Sequence, residues 1–416
     1  MYIVLRRLTT ALTGPLPEPV RANVMIEAGA SLAYGVFFAA GPAFLLVVLR
    51  RLGATADVLA LYITLTYVGS IVASLSVVAL RHWRPLRLSI FCWAIGRAMF
   101  LPMALVTGPE AMLVLMTLFW VAESFPAPAY ARLMQSLYPV EYRGRAMAAV
   151  RLGMVLAVIV ATPLAGWMLD AAGHRTLLPL AGIIGVVAAL GFSRLRVPDE
   201  APAAVAVTQA VSPLGILRRN PRFSVYLLGL TLFGFGNIIG APLYPLVQVD
   251  RLELSYTQIG YLTLAQSLCW LLGFLAWGRL VDRHSAMRVM VFSAVFAALV
   301  PWTYIWAESF WTLLPAFIAQ GFVQAGFDVG VTNVGIELAE PGRVVEYSAL
   351  QNLVVGMRGL VAPMLGAGLL ASGMPDRTIF AIGSLLVVMS CLTFWLTTSI
   401  ARQPVAASAP TRTSRE

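Results

Sequence analysis

The chain contains no lysine: all 29 basic residues among its 416 are arginine. That absence removes a phosphate-loop lysine, a Schiff-base lysine and a lysine general base. No G-x-x-x-x-G-K-[ST] run occurs, which disfavours ATP-driven work. Histidine is nearly as scarce, and His82, His174 and His284 sit in loops far apart in sequence, so no metal site is expected. Cys92, Cys269 and Cys391 each fall inside an apolar run and read as small buried residues, with no disulfide or metal framework. Neither H-E-x-x-H nor G-x-S-x-G is present. A membrane-embedded enzyme therefore lacks its catalytic constellation, and no catalytic residue and no cofactor is assigned. Charge is thin overall, at 12% of residues where soluble domains carry about 25%.

What the chain has instead is apolar length. It is 59% hydrophobic with a mean hydropathy of +0.83. A dozen long apolar runs occupy 23–49, 56–80, 88–107, 111–137, 146–169, 176–193, 223–248, 256–278, 289–306, 310–335, 346–371 and 378–400. Several reach the ~20 residues needed to cross a ~30 Å hydrocarbon core. A barrel would show ~10-residue alternating segments instead. The fold class read from these runs is an all-α polytopic membrane protein of 12 transmembrane helices, whose solvent is the lipid bilayer.

The arginines set the topology. With a cytoplasmic N-terminus, 21 arginines face the cytoplasm, 5 face outward, and Arg97, Arg132 and Arg358 lie within spans. That asymmetry is a positive-inside signal for both termini in the cytoplasm. It also gives the net charge of +10 a cause other than nucleic-acid binding. Residues 1–12 read as a short interfacial helix, with Arg6 and Arg7 near phosphates. Residues 1–19 lack the apolar core of a cleaved leader. The expected location is a bacterial inner (cytoplasmic) membrane, and the expected state a monomer.

The chain divides in two. Residues 1–193 form one six-helix bundle, 194–222 a cytoplasmic linker, 223–401 a second six-helix bundle, and 402–416 a disordered tail. The halves resemble one another at an offset near 200 residues. Gly35 and Gly41 match Gly234 and Gly240; Arg51-Leu52 matches Arg251-Leu252; Arg143, Pro163 and Gly166 match Arg343, Pro363 and Gly366. Six is even, so both copies enter the membrane from the same side, as a parallel repeat.

With 6+6 helices and a central linker, the chain resembles the major facilitator superfamily of secondary transporters. The most specific local match is Gly278-Arg279-Leu280-Val281-Asp282-Arg283, which resembles the start of the family's cytoplasmic motif G-x-x-x-D-R-x-G-R-R/K. Ser285 stands where glycine is expected, and the next arginine is Arg288. Tyr142-Arg143-Gly144-Arg145 resembles the arginine loop after the family's fourth helix. The resemblance implies a gating role for Gly278, Asp282 and Arg283, with a partner near Glu346, and places Arg143 and Arg343 with them as gating or structural charges. The plainer alternative is positive-inside arginines and one solvated acid. Ala161-Thr162-Pro163-Leu164-Ala165-Gly166 resembles a degenerate antiporter motif, which tilts the reading toward export.

Charges inside spans cost ~2.5–3.5 kcal/mol each, so each needs a partner or a wet cavity. Glu27, Glu123 and Asp328 fall on spans 1, 4 and 10. The family resemblance implies that these spans, with span 7, line a central cavity. Gln320, Gln324 and Asp328 recur at i, i+4 and i+8, one polar stripe on one helix. Asp328 and Glu123 are candidate proton carriers or cation ligands; pairing with a buried arginine is the alternative for each. Glu27 shares a face with Tyr34 and reads equally as a site acid or an interfacial one. Arg97 and Arg358 read as structural charge partners, and Arg132 as a contact for an anionic group. Span 7, Phe233-Gly234-Phe235-Gly236-Asn237-Ile238-Ile239-Gly240-Ala241-Pro242-Leu243-Tyr244-Pro245, reads as a bent or broken helix, with Gly35, Gly41 and Pro42 in span 1 as its counterpart; close helix packing through small residues is the alternative. Asn237, Tyr244 and Gln248 offer hydrogen bonds and an aromatic face there.

The expected function is secondary active transport of a small molecule by alternating access, as proton-coupled efflux of an amphipathic neutral or cationic compound. The alternatives are a nutrient importer or a lipid-like substrate translocase on the same fold, and a non-transporting receptor or assembly factor. The last predicts that neutralising Glu123 or Asp328 leaves activity intact.

Overall fold

The computed structural model describes residues 16–73, 76–80, 82–197, 213–340 and 343–399. The interfacial helix expected over 1–12, residues 198–212 of the linker and the tail from 402 lie outside the described residues. All described elements are helical. Among the described residues, twelve helical segments are long and apolar enough to cross a bilayer: Val20–Arg51, Ala56–Ala73, Pro85–Leu105, Pro109–Leu137, Glu141–Ala172, His174–Arg194, Pro221–Arg251, Tyr256–Val281, Ala286–Trp306, Phe310–Leu338, Glu346–Ala371 and Asp376–Ser399. These are spans 1 to 12. In lipid a helix is the way for a single segment to satisfy its own backbone, and apolar runs of this length take it.

Breaks within the spans have local causes. Span 1 stops at Ala40, makes a 3₁₀ turn over Pro42–Phe44 and resumes at Leu45. Span 7 repeats this, stopping at Ile239, turning over Ala241–Leu243 and ending in a wide π turn over Val247–Arg251. Gly41-Pro42 and Gly240-Ala241-Pro242 are the breaks expected from the sequence, since proline removes a ladder donor and clashes with the preceding turn. Span 4 is interrupted between Ser124 and Ala127, beside Pro126 and Pro128. Span 8 begins in a capping box between Ser255 and Gln258, whose side chains each accept a hydrogen bond from the other's backbone N–H, at 3.1 and 2.9 Å.

The packing reproduces the repeat. In the first half span 1 packs on spans 5 and 6, span 2 on span 4, and span 3 on spans 4 and 6. In the second half span 7 packs on 11 and 12, span 8 on 10, and span 9 on 10 and 12. Across the halves span 5 meets span 8 and span 2 meets span 11, which is one contact and its repeat equivalent. Small residues let these helices approach. A methyl group on Gly166 would collide with the Tyr256 carbonyl, and one on Gly359 with the Tyr67 ring.

The two ends of the bundle differ. One end carries the turns around residues 53, 173, 253, 308 and 373; the other carries the linker. At the first, far end the buried apolar core runs unbroken from Phe44, Leu45 and Val48 to Leu243, Val247 and Tyr256. Toward the linker end it splits. Val24, Trp93, Leu133 and Tyr138 form a core in the first half, and Phe223, Tyr226, Met290 and Tyr347 a separate one in the second. The halves are therefore joined at the far end and have separate cores at the linker end.

Candidate substrate site

Ion pairs accompany the joined end. Arg50 meets Asp250 through Nη2 at 2.6 Å and Nε at 2.9 Å. Arg51 donates to the Leu254 carbonyl at 2.7 Å and lies 3.7 Å over the Tyr256 ring. Asp170, from span 5, caps the start of span 8 in the other half. It accepts from the backbone N–H of Tyr256 at 2.9 Å and of Thr257 at 2.7 Å, and from the Thr257 hydroxyl at 2.6 Å. These groups are partly exposed, and such pairs contribute roughly 0–1 kcal/mol each.

Behind the closure, between the halves, lies a cavity of about 460 Å³. The first half lines it with Phe38, Ala43, Leu46, Val47, Ile63 and Tyr67. The second half supplies Asn237, Tyr244 and Gln248 from span 7, Thr263 and Gln266 from span 8, and Phe317 and Gln320 from span 10. The breaks in spans 1 and 7 place Ala43, Leu46, Tyr244 and Gln248 on this wall. Tyr244 stacks on Tyr304 at 4.2 Å between ring centroids and on Phe380 at 5.7 Å. Its hydroxyl is buried with no described hydrogen-bond partner. Gln248 donates to the Tyr304 hydroxyl at 2.7 Å. Among the described residues, no charged side chain lines the cavity.

The other sequence candidates lie elsewhere. Glu123 is bound by Arg97 through Nη2 at 2.8 Å and Nε at 3.1 Å, while Arg97 Nη1 donates to the Gly185 carbonyl at 3.1 Å. Tyr34 covers that guanidinium, its ring centroid 4.6 Å away. Glu27 is fully buried, which removes the interfacial reading. Its carboxylate accepts from the Tyr130 hydroxyl at 2.6 Å and the Tyr138 hydroxyl at 2.5 Å. Arg132 is half-buried on span 4, outside the cavity wall. Arg358 is buried on span 11 with no acid beside it among the described residues: Nη1 donates to the Leu230 carbonyl at 2.6 Å, Nε has no described partner, and the guanidinium sits 5.3 Å from the Phe327 ring.

Asp328 is half-buried and accepts from the Trp270 indole N–H at 3.2 Å. Arg151 of the first half lies within electrostatic reach. Asp328 stands eight residues from Gln320, about 12 Å along the helix toward the linker end. Gln324, between them, is exposed.

At the linker end Arg143 donates to the carbonyls of Tyr138 and Gln135, closing span 4, and Arg343 pairs with Glu340 at 2.9 Å. Gly278 has open space around it, Arg283 is exposed, and one carboxylate oxygen of Glu346 is buried with no described partner. The Asp282 side chain, and so the expected latch, lies outside the described residues. Sequence reading missed Tyr67, Gln266, Tyr304, Asp170 and Asp250. Gln266 was detectable as an amide inside an apolar run; the other four looked like ordinary loop acids or membrane tyrosines.

A model of the Major Facilitator Superfamily matches residues 27–255 and again 226–415. No curated relative matches the sequence. Solved structures similar to this one include the nucleoside transporter NupG, at TM-score 0.70 and 15% identity over 91% of this chain and 99% of that one. A bacterial homologue of the human lysosomal transporter Spinster, inward-facing and occupied, is similar at TM-score 0.64 and 15% identity over 94% and 100%. A bacterial homologue of the iron transporter ferroportin, inward-facing, is similar at 0.66 and 15% over 90% and 99%. At such identity the likeness is one of fold.

Proposed function

The chain belongs to the major facilitator superfamily, an integral membrane transporter fold, and from that premise we propose that it is a proton-coupled secondary transporter exporting a neutral or cationic amphipathic small molecule by alternating access. The observation that carries the transport reading is the cavity shared by both halves, closed on one side by paired charges and bounded on the other by two separate cores. Rocking the halves about that cavity exchanges which side is closed. The arginine asymmetry assigns the linker end to the cytoplasm, so the arrangement described is inward-facing.

Proton coupling is assigned to Asp328. Glu123 is occupied by Arg97 and Glu27 by two tyrosine hydroxyls, whereas Asp328 has a single indole donor and an arginine in the opposite half. Gain or loss of its proton changes the attraction across the halves, which links protonation to rocking. Export rests on the degenerate antiporter motif of span 5. Import of a polar solute is the second reading, favoured by a cavity wall without charge.

The test uses the protein reconstituted in vesicles with a solute found by thermal-shift screening. Accumulation must collapse when the pH gradient is dissipated. Asp328→Asn must retain downhill exchange and lose gradient-driven accumulation. Accumulation indifferent to the gradient rejects coupling, and a wild type without downhill exchange rejects transport.

A further inference from the structure

We propose that this cavity selects uncharged solutes built on a planar ring whose edge carries hydrogen-bond donors and acceptors together, the chemistry of a neutral heterocyclic amide or amidine. The inference rests on the transport reading above and names the substrate class of the same cavity.

Three observations converge. First, the wall carries no charge: Asp328 lies beyond it toward the linker end, and Asp250 is committed to Arg50. A permanent cation entering there gives up hydration without meeting a counter-charge.

Second, Gln248, Tyr304 and Thr263 on the wall are hydrogen-bonded within the protein, whereas four other polar groups there have no described partner, three of them carboxamides. Asn237, Gln266 and Gln320 present carboxamides with no described protein partner, and the Tyr244 hydroxyl is buried without one. Each carboxamide offers a donor and an acceptor side by side, the pattern that an amide edge returns. A purely lipophilic occupant leaves these groups unpaired, and sites built on hydrogen bonds reject ligands that cannot return them.

Third, Phe38, Tyr67 and Phe317 supply aromatic surface on both sides of the boundary between the halves. Flat rings pack on such surface better than puckered polyols. The volume of about 460 Å³ lies within the usual range for small-molecule sites.

The test is binding to the purified full-length protein at neutral pH, read by thermal shift and tryptophan fluorescence. The ring probes are thymine, nicotinamide and adenine; glucose and tetraphenylphosphonium are the contrasts. At least one ring probe is expected to bind, with glucose and the phosphonium at least tenfold weaker. Asn237→Ala and Gln320→Ala are each expected to weaken the ring probe at least tenfold, and Glu110→Gln, in the exposed first turn of span 4 away from the cavity, to leave it unchanged. Unliganded melting of each variant separates lost binding from lost folding, and Gln266→Ala provides a third reading if either variant fails to fold. Binding of tetraphenylphosphonium in preference to every ring probe, preferred binding of glucose, or no ring binding at all overturns the assignment. The two readings fail separately. Phosphonium carried across vesicles ends the substrate class and keeps transport; a ring compound that binds but never crosses keeps the class and ends transport.

Discussion

Two buried arginines look alike in sequence and differ in consequence. Arg97 holds a carboxylate, a backbone carbonyl and an aromatic ring; Arg358 holds one carbonyl and no acid. Breaking a buried pair from one side costs about 3–5 kcal/mol, because a charge is left uncompensated. Glu123→Gln should therefore lower the melting temperature of the purified protein markedly, and Arg97→Met combined with Glu123→Leu should recover much of the loss. Arg358→Met strands no described charged partner and should melt at the wild-type temperature or above. Equal losses from Glu123→Gln and Arg358→Met would show that Arg358 has a counter-charge after all. The Arg97–Glu123 contact was among the alternatives legible in sequence, since both charges sit inside spans and each needs a partner. The partners of Glu27 were not, because Tyr130 and Tyr138 lie 103 and 111 residues away and carry no charge to advertise them.

Helix ends show the same division at the next scale. The Ser255–Gln258 capping box is local, so its residues alone prescribe it. The Asp170 cap on the same helix start is not, because its donor groups belong to the other half. This cap exists only while the far end is closed. Removing an N-cap side chain costs about 1 kcal/mol, a roughly fivefold shift in a two-state balance. Asp170→Ala should shift the population toward far-end opening by about that factor. Spin labels at Asp57 and Glu308, both exposed and on opposite halves, report the change as a longer distance by electron double resonance. An unchanged distance distribution would mean that the cap does not bias the equilibrium. The breaks in spans 1 and 7 were readable because proline and glycine act on their own turn; the cavity wall they create was not.

At the scale of the whole molecule, the repeat is used unequally. Arg51 reaches the opposite half, to Leu254 and Tyr256, whereas its repeat partner Arg251 stays within its own, on Asp376 and the Tyr304 carbonyl. Gly166 admits the Tyr256 carbonyl of the other half; Gly366 admits the Ile239 carbonyl of its own. The closure thus uses Arg51 and Gly166 but not their repeat partners, and Arg50 with Asp250 is its shortest ionic contact. Arg50→Asp should slow transport by opening the far end, and adding Asp250→Arg should restore the rate in reconstituted vesicles. A swapped pair as slow as the single variant would assign Arg50 a role other than pairing.

Membrane insertion, helix count, duplication and helix breaks were determined by the sequence itself, because each depends on residues that are neighbours along the chain or on composition summed over one span. The identity of the cavity wall, the partner of each buried charge and the end at which the halves close were decided by tertiary structure. Those depend on which faces meet after two six-helix units dock, and a contact between residues 200 positions apart, such as Arg50 with Asp250, leaves no local trace in either segment.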